Sequence, residues 1–144
     1  MPSRAVSSES WGADVQQIPS ARIDLDALLL ATLGSTFGGA PVRNVKPQLS
    51  APYRVVVIQS IPQNRATPIS RYVRLIVQGW DVRANGTGDF GAAQRLAGDY
   101  AAAVEGLSGR GRVLVAEVES GPYRVTDSDS GVEYAVANLL LEIA

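Results

Sequence analysis

The sequence predicts an α+β fold: a largely antiparallel β-sheet with two helices packed against it, in the order α-β-β-β-α-β-β. Five runs are rich in β-branched and aromatic residues and are bounded by proline or glycine, which is typical of strands. Two other runs place apolar residues at helical spacing. Only one helix lies between strands, so the chain lacks the repeated β-α-β units of a parallel sheet.

Length and composition favour one domain preceded by an arm. The chain has 144 residues, enough to bury about 70% of its unfolded surface. Residues 1–19 are polar and aperiodic, which predicts an N-terminal arm anchored by Trp11 and Ile18, and residues 20–144 form the domain. The sequence has no cysteine and no histidine, which excludes disulfides, thiolate nucleophiles and Cys/His zinc sites. No apolar run is long enough for a signal peptide or a membrane span.

The first helix is predicted to run to about Leu33. Either Ser20 or Asp24 can cap it, because each side chain can accept a hydrogen bond from the free N–H groups of the first turn. Gly34, or the pair Gly38-Gly39, is predicted to end it.

The second helix is predicted over residues 92–107, with Asp89 as the N-cap and Gly109 as the C-terminal cap. Its apolar residues recur at helical spacing and predict the buried face. They are Phe90, Ala93, Leu96, Ala97, Tyr100, Val104 and Leu107.

The five strands are predicted over residues 41–47, 53–61, 71–82, 113–119 and 132–143. The second and third form a hairpin around 62–69. This connecting segment has two prolines and no apolar run, so we expect it to project and to contact a neighbouring subunit through Gln63, Asn64 and Arg65. Residues 120–131 are expected to connect the last two strands.

Residues Gly86–Gly91 spell G-x-G-x-x-G, the pattern of dinucleotide-binding loops. Such a loop holds pyrophosphate on the free N–H groups of a helix N-terminus. Here Asp89 stands at the capping position, where its carboxylate would occupy those groups and repel phosphate. The pattern therefore favours a flexible corner capped by Asp89, and a small nucleotide-binding enzyme remains the alternative from a different class.

Other chemical signals have simpler explanations. Asp127 and Asp129 echo a calcium loop, but the glycine falls one place early and the late glutamate is missing, so a tight turn is favoured. Glu117 and Glu119 lie on one strand face, where solvated carboxylates are favoured over acid/base chemistry. The sequence predicts no catalytic residue, no cofactor and no metal.

Charge is strongly segregated along the chain. Residues 1–42 carry a net charge of −2, residues 43–83 carry +6 and residues 84–144 carry −5. In a head-to-tail contact between copies of one chain, two different surfaces of the subunit meet, and such segregation can make them complementary. We therefore expect arginines such as Arg71 and Arg74 to face acids of 105–133 across a subunit contact. The alternative is that the fold pairs the two segments inside one subunit.

Residues 20–144 resemble the tail terminator proteins of long-tailed bacteriophages. The resemblance rests on I-D-L-D-A-L-L-L-A-T-L, on V-Q-G-W-D-V-R-A, and on A-A-Q-R-L-A-G-D-Y-A-A-A-V followed by Leu-Ser-Gly. It also rests on the closing S-G-P-Y-R-V-T-D-S-D-S-G-V-E-Y-A-V-A-N-L-L-L-E-I. The 19-residue leader departs from the family pattern.

The resemblance implies a virion protein of the head-tail junction that is assembled in the host cytoplasm and is not an enzyme. It would form a hexameric ring that caps the tail tube, ends tube polymerisation and offers a docking surface to the head-side connector. Its partners would be itself, the tube protein and the connector, with phage DNA passing through the lumen without sequence recognition and no membrane involved. Another neck or tail-completion protein is the alternative. The candidate interface residues are Trp11, Ile18, Gln63, Asn64, Arg65, Arg71, Arg74, Glu117, Glu119, Asp127 and Asp129.

Overall fold

A computed structural model describes residues 24–47 and 50–144 and confirms the α+β class. A two-residue strand before the first predicted strand is the one addition to the expected order. It pairs with its successor through a turn at Gly38 and Gly39, whose φ values of 57° and 79° favour glycine. The elements are α1 (Leu25–Leu33), β1 (Thr36–Phe37), β2 (Ala40–Arg43), β3 (Tyr53–Thr67), β4 (Ser70–Val82), α2 (Phe90–Glu105), β5 (Val113–Thr126) and β6 (Glu133–Ile143).

The strands form one sheet in the order β1-β2-β3-β4-β6-β5. All neighbours are antiparallel except β2 and β3, which pair in parallel at Val56 and Val57. Alternate residues of β4 belong to opposite sides of the sheet. Val73, Leu75 and Val77 are buried with the residues of both helices, so the helices share one side of the sheet.

Helix α2 packs closely on the centre of this side. A Cβ added to Gly79 would lie 2.3 Å from the Ala93 carbonyl oxygen and 2.9 Å from the Ala97 nitrogen, so only glycine admits the helix at this distance. The predicted apolar stripe is confirmed, because all its members are buried except the half-buried Phe90. The rings of Tyr100 and Phe37 pack edge to face, with centroids 5.1 Å apart.

Both helix starts follow the capping prediction, and Ser20 lies outside the described residues. Asp24 Oδ1 accepts a hydrogen bond from the Ala27 N–H at 3.2 Å, and Asp89 Oδ1 accepts one from the Ala92 N–H at 3.2 Å. The C-terminal prediction for α2 is wrong, because the helix stops at Glu105 with Gly106 as its cap. Gly109, with φ of 79°, instead ends the turn that follows, where its N–H donates to β5 carbonyls.

Two predicted connections are largely strand. In the first, β3 continues through 62–67 and only residues 68 and 69 form the turn. The irregularity that the prolines suggested takes the form of register shifts in the strand pairing near Arg65. The Thr67 and Ser70 hydroxyls form a hydrogen bond of 2.6 Å across the turn. In the second, β5 continues to Thr126 through two further register shifts. By contrast, the strand predicted over 41–47 is shorter and ends at Arg43.

Strand β5 lies at the edge of the sheet, and the turn after α2 covers its first half. Ser108 Oγ accepts from the Ala116 N–H at 2.7 Å and donates to the Ala116 carbonyl at 2.9 Å. Glu105 Oε2 accepts from the Val118 N–H at 2.9 Å. These contacts satisfy edge groups that would otherwise be free to pair with another strand.

Candidate functional site

The G-x-G-x-x-G corner is held by contacts within the chain. Gly86 takes a φ of 85°, and a Cβ on Gly88 would lie 2.4 Å from the Glu133 carbonyl oxygen. The fold thus explains two of the three glycines: Gly86 by its positive φ and Gly88 by its close packing. Asp89 caps α2, and its second oxygen lies 3.7 Å from the Arg83 guanidinium. The carboxylate therefore stands where a phosphate would have to bind, as the capped-corner interpretation requires.

The turn carrying Asp127 and Asp129 is closed by its own hydrogen bonds and by a lysine. Ser130 donates to Asp127 Oδ2 from its hydroxyl at 2.6 Å and from its N–H at 3.2 Å, which confirms the tight turn. Lys46 Nζ lies 2.8 Å from a carboxylate oxygen of each aspartate. The Lys46 ammonium and the Ser130 donors lower the pKa of Asp127, and the two aspartates raise the pKa of Lys46. Within the described residues, no three acidic side chains group closely enough to hold a metal ion.

Behind this ion pair, aromatic rings fill one end of the sheet side that the helices leave uncovered. Trp80 and Tyr134 stack with centroids 4.1 Å apart and an interplanar angle of 7°. The indole N–H donates to Gln78 Oε1 at 2.9 Å. A cavity of about 280 Å³ adjoins them, lined also by Asn44 and Gln59.

The remaining part of that side is uncovered in the described structure, and we call it the open face. It consists of alternate residues of β3, β4, β6 and β5 that lie opposite the helices. Four of its large apolar residues are between 37 and 45% exposed. Exposed large apolar residues on one surface are typical of an interaction site. The apolar members are Ile61, Tyr72, Ile76, Val115, Tyr123 and Leu140.

Polar groups are interspersed on the open face. Asn138 donates to Ser120 Oγ and to Tyr123 Oη, each at 3.0 Å. Arg74 reaches across β6 to form an ion pair with Glu119. Glu117 is exposed and has no ion-pair partner among the described side chains.

Arg74 forms its ion pair with Glu119 of the same chain. For Arg74, this supports the alternative that the basic and acidic segments pair inside one subunit. The reason is the strand order: β6 inserts between β4 and β5, and the long side chains of the outer two strands meet over it. A subunit contact built on Arg74 would first have to break this pair.

The other predicted interface residues lie in the β3–β4 hairpin or outside the described residues. Arg71 opposes Arg65 across the β3–β4 hairpin, and its Nε is buried without a partner among the described residues. The Gln63 amide bonds to the carbonyls of Ile61 and Pro62, each at 3.3 Å. Asn64 lies in the same strand. Trp11 and Ile18 lie outside the described residues.

Sequence reasoning missed the open face and Lys46. A signal for the open face was present in β4, where Tyr72, Arg74, Ile76 and Gln78 alternate with buried residues. This alternation carries apolar as well as polar residues, whereas the outer face of a fully solvated sheet is usually polar. Lys46 gave no signal, because its two acidic partners lie more than 80 residues further along the chain.

Comparisons of the chain with protein-family models, with curated proteins and with solved structures gave no match. None of the described helices is long and apolar enough to cross a membrane.

Proposed function

We propose that the protein is a subunit of a hexameric ring that caps the tail tube of a long-tailed bacteriophage. The ring ends tube polymerisation and presents a docking surface for the head-side connector. The observation that carries the proposal is the open face, because a sheet covered by helices on one side and exposing large apolar residues on the other suits an assembly subunit. The resemblance of residues 20–144 to tail terminators supplies the particular assembly.

The corner at Gly86–Gly91 adds support by weakening the main alternative. A nucleotide-binding enzyme would need the first N–H groups of α2 for phosphate, and Asp89 accepts a hydrogen bond there. Within the same class, another neck or tail-completion protein remains the second candidate.

The proposal is tested first by the size of the purified protein. We expect sedimentation and negative-stain microscopy to give a closed ring, and a nucleotide panel to leave the melting temperature unchanged. A monomer stabilised by a nucleotide would overturn the proposal in favour of the enzyme.

The second test is interruption of the gene in the parent phage. A missing terminator should give DNA-filled heads together with unattached tails of excessive length. Tails of normal length that fail to join heads would instead indicate a neck protein on the head side of the joint.

A further inference from the structure

On the helix side of the molecule there is a second surface that residues 24–47 and 50–144 leave uncovered. Helix α1 is apolar nearly all round, and its Ala27 and Ala31 are exposed while its leucines are buried or half-buried. A helix of this composition is expected to be buried. Beside it is a cavity of about 180 Å³.

We call this cavity the arginine cavity. Its apolar wall comes from α1, from the turn after α2 and from the start of β5, and its charged lining residues are both arginines. Its lining residues are Leu28, Thr32, Leu107, Arg110, Gly111, Arg112 and Val113. Arg110 has no ion-pair partner among the described side chains, whereas Arg112 Nε donates to the Ala144 carbonyl at 2.7 Å.

The open face has the opposite charge. Glu117, Glu119 and Glu142 lie on it. Among the side chains that the structure describes, Arg74 is the one cation of this face, and Glu119 already neutralises it. The unpaired Glu117 lies beside Leu140, so an acid flanks an apolar side chain on one surface. On the other surface, arginines flank an apolar cavity.

The two surfaces lie on opposite sides of the sheet. Two patches that are complementary but differently placed cannot satisfy each other in one subunit, and they generate a head-to-tail contact that closes into a ring if the rotation permits. Charge complementarity would fix the register of that contact, and the apolar groups would be removed from water.

We propose that the open face of one subunit binds the arginine cavity and α1 of a second copy of this chain, with Glu117 facing Arg110. This inference rests on the ring of the proposed function and specifies which surfaces form its subunit contact. A face-to-face dimer would be the other arrangement, in which the open face meets itself.

Cross-linking distinguishes these arrangements cleanly, because the chain has no cysteine of its own. Val115→Cys labels the open face and Thr32→Cys labels the arginine cavity, and both positions are exposed. Ala84→Cys, in the exposed corner after β4, is the matched control. A short bis-maleimide is added to each variant alone and to mixtures.

We expect covalent dimers from the mixture of Val115→Cys and Thr32→Cys, and few from either alone or from any mixture with Ala84→Cys. A chain carrying both cysteines should give a ladder that ends at the ring. Dimers from Val115→Cys alone would show the open face meeting itself, and a Thr32→Cys thiol that is unreactive in the monomer would show the cavity covered by its own chain. Either result overturns the inference.

Charge reversal gives an independent readout. Glu117→Arg and Arg110→Glu should each raise the protein concentration for half-assembly about tenfold at low salt, and less at high salt. The double variant should recover, since opposite charges face each other again. Arg95→Glu, on the exposed face of α2, is the control. Suppose that the wild type forms a ring, that Glu117→Arg, Arg110→Glu and the double variant all assemble like it, and that no mixed cross-link forms. This contact is then overturned but the ring is kept. A wild type that stays monomeric would overturn the proposed function itself.

Discussion

Asp89 and Asp24 occupy equivalent places at the starts of two helices. Each accepts one hydrogen bond at 3.2 Å from the N–H three residues ahead. Asp89 additionally stands near Arg83. At the scale of single residues, these carboxylates therefore fix where helices begin.

Replacement of the α2 cap tests this role. We expect Asp89→Ala to lower the free energy of unfolding by about 1 kcal/mol, because one first-turn N–H loses its acceptor. Asp24→Ala is the matched variant and should cost a similar amount. Urea unfolding followed by circular dichroism measures both. Tight nucleotide binding gained by Asp89→Ala would instead restore the phosphate-loop interpretation.

Lys46 makes a pH-dependent contribution through Asp127. A carboxyl whose pKa is lowered in the folded protein adds stability at pH values above its unfolded value of 3.8, and that stability is lost as pH falls through the lower folded value. The pKa of Lys46 is raised, so the lysine stays charged throughout this range. We expect Lys46→Met to melt below the wild type at pH about 7, with the gap closing towards pH about 3. A gap that stays constant with pH would show that Lys46 acts by packing alone.

At the scale of elements, the contact between α2 and β4 depends on the absence of one side chain. The atoms that a Cβ on Gly79 would meet belong to the helix backbone, which cannot rotate away. The helix would have to lift from the strand over its whole contact.

We expect Gly79→Ala to destabilise the protein by about 3 kcal/mol, at the upper end of what overpacking costs. Gly91→Ala is the control, since its Cβ would meet only side-chain atoms at 3.7 Å in the first turn of the same helix. That variant should be neutral or slightly stabilising, because alanine favours helix. Equal losses in chemical unfolding would contradict a role of close approach at Gly79.

Local signals predicted the elements that they control. The helical spacing of Leu96, Tyr100 and Val104 gave α2 its buried face, and Asp89 gave its start. Prolines misled the prediction of β3 and β5, because a bulge lets a strand continue past Pro62 and Pro122. Local sequence signals could not predict the order of the strands in the sheet. They therefore could not predict on which side of the sheet each residue of the open face lies.

At the scale of the whole molecule, the sheet has two unlike sides, and the end of the β3–β4 hairpin extends beyond the other strands. Strand β6 ends opposite Arg71, and β2 pairs with β3 only at Val56 and Val57. Among the described strands, residues 62–69 therefore pair only within their own hairpin. Exposed Ile69 lies at its tip. The hairpin thus reaches away from the core that holds the other strands.

Hydrogen exchange tests whether an assembly partner meets this hairpin. We expect the amides of 62–69 to exchange faster than those of the paired centre of β4 in the free protein, and to slow on ring or tail assembly. The buried centre of β4 is the internal reference. Identical exchange of 62–69 in free and assembled protein would remove the hairpin from the interface.

The cover that Ser108 and Glu105 place over β5 has a consequence for the fate of the chain at high concentration. A protein produced in many copies risks templated fibril growth wherever a bare strand can recruit an identical strand from another molecule. Here recruitment at the first half of β5 must first break three hydrogen bonds of the chain's own helix turn. Further along, the β-bulges twist the edge away from a straight partner. Growth by strand addition is thereby blocked at this edge, and association is left to side-chain surfaces, which can stop at a fixed number of copies.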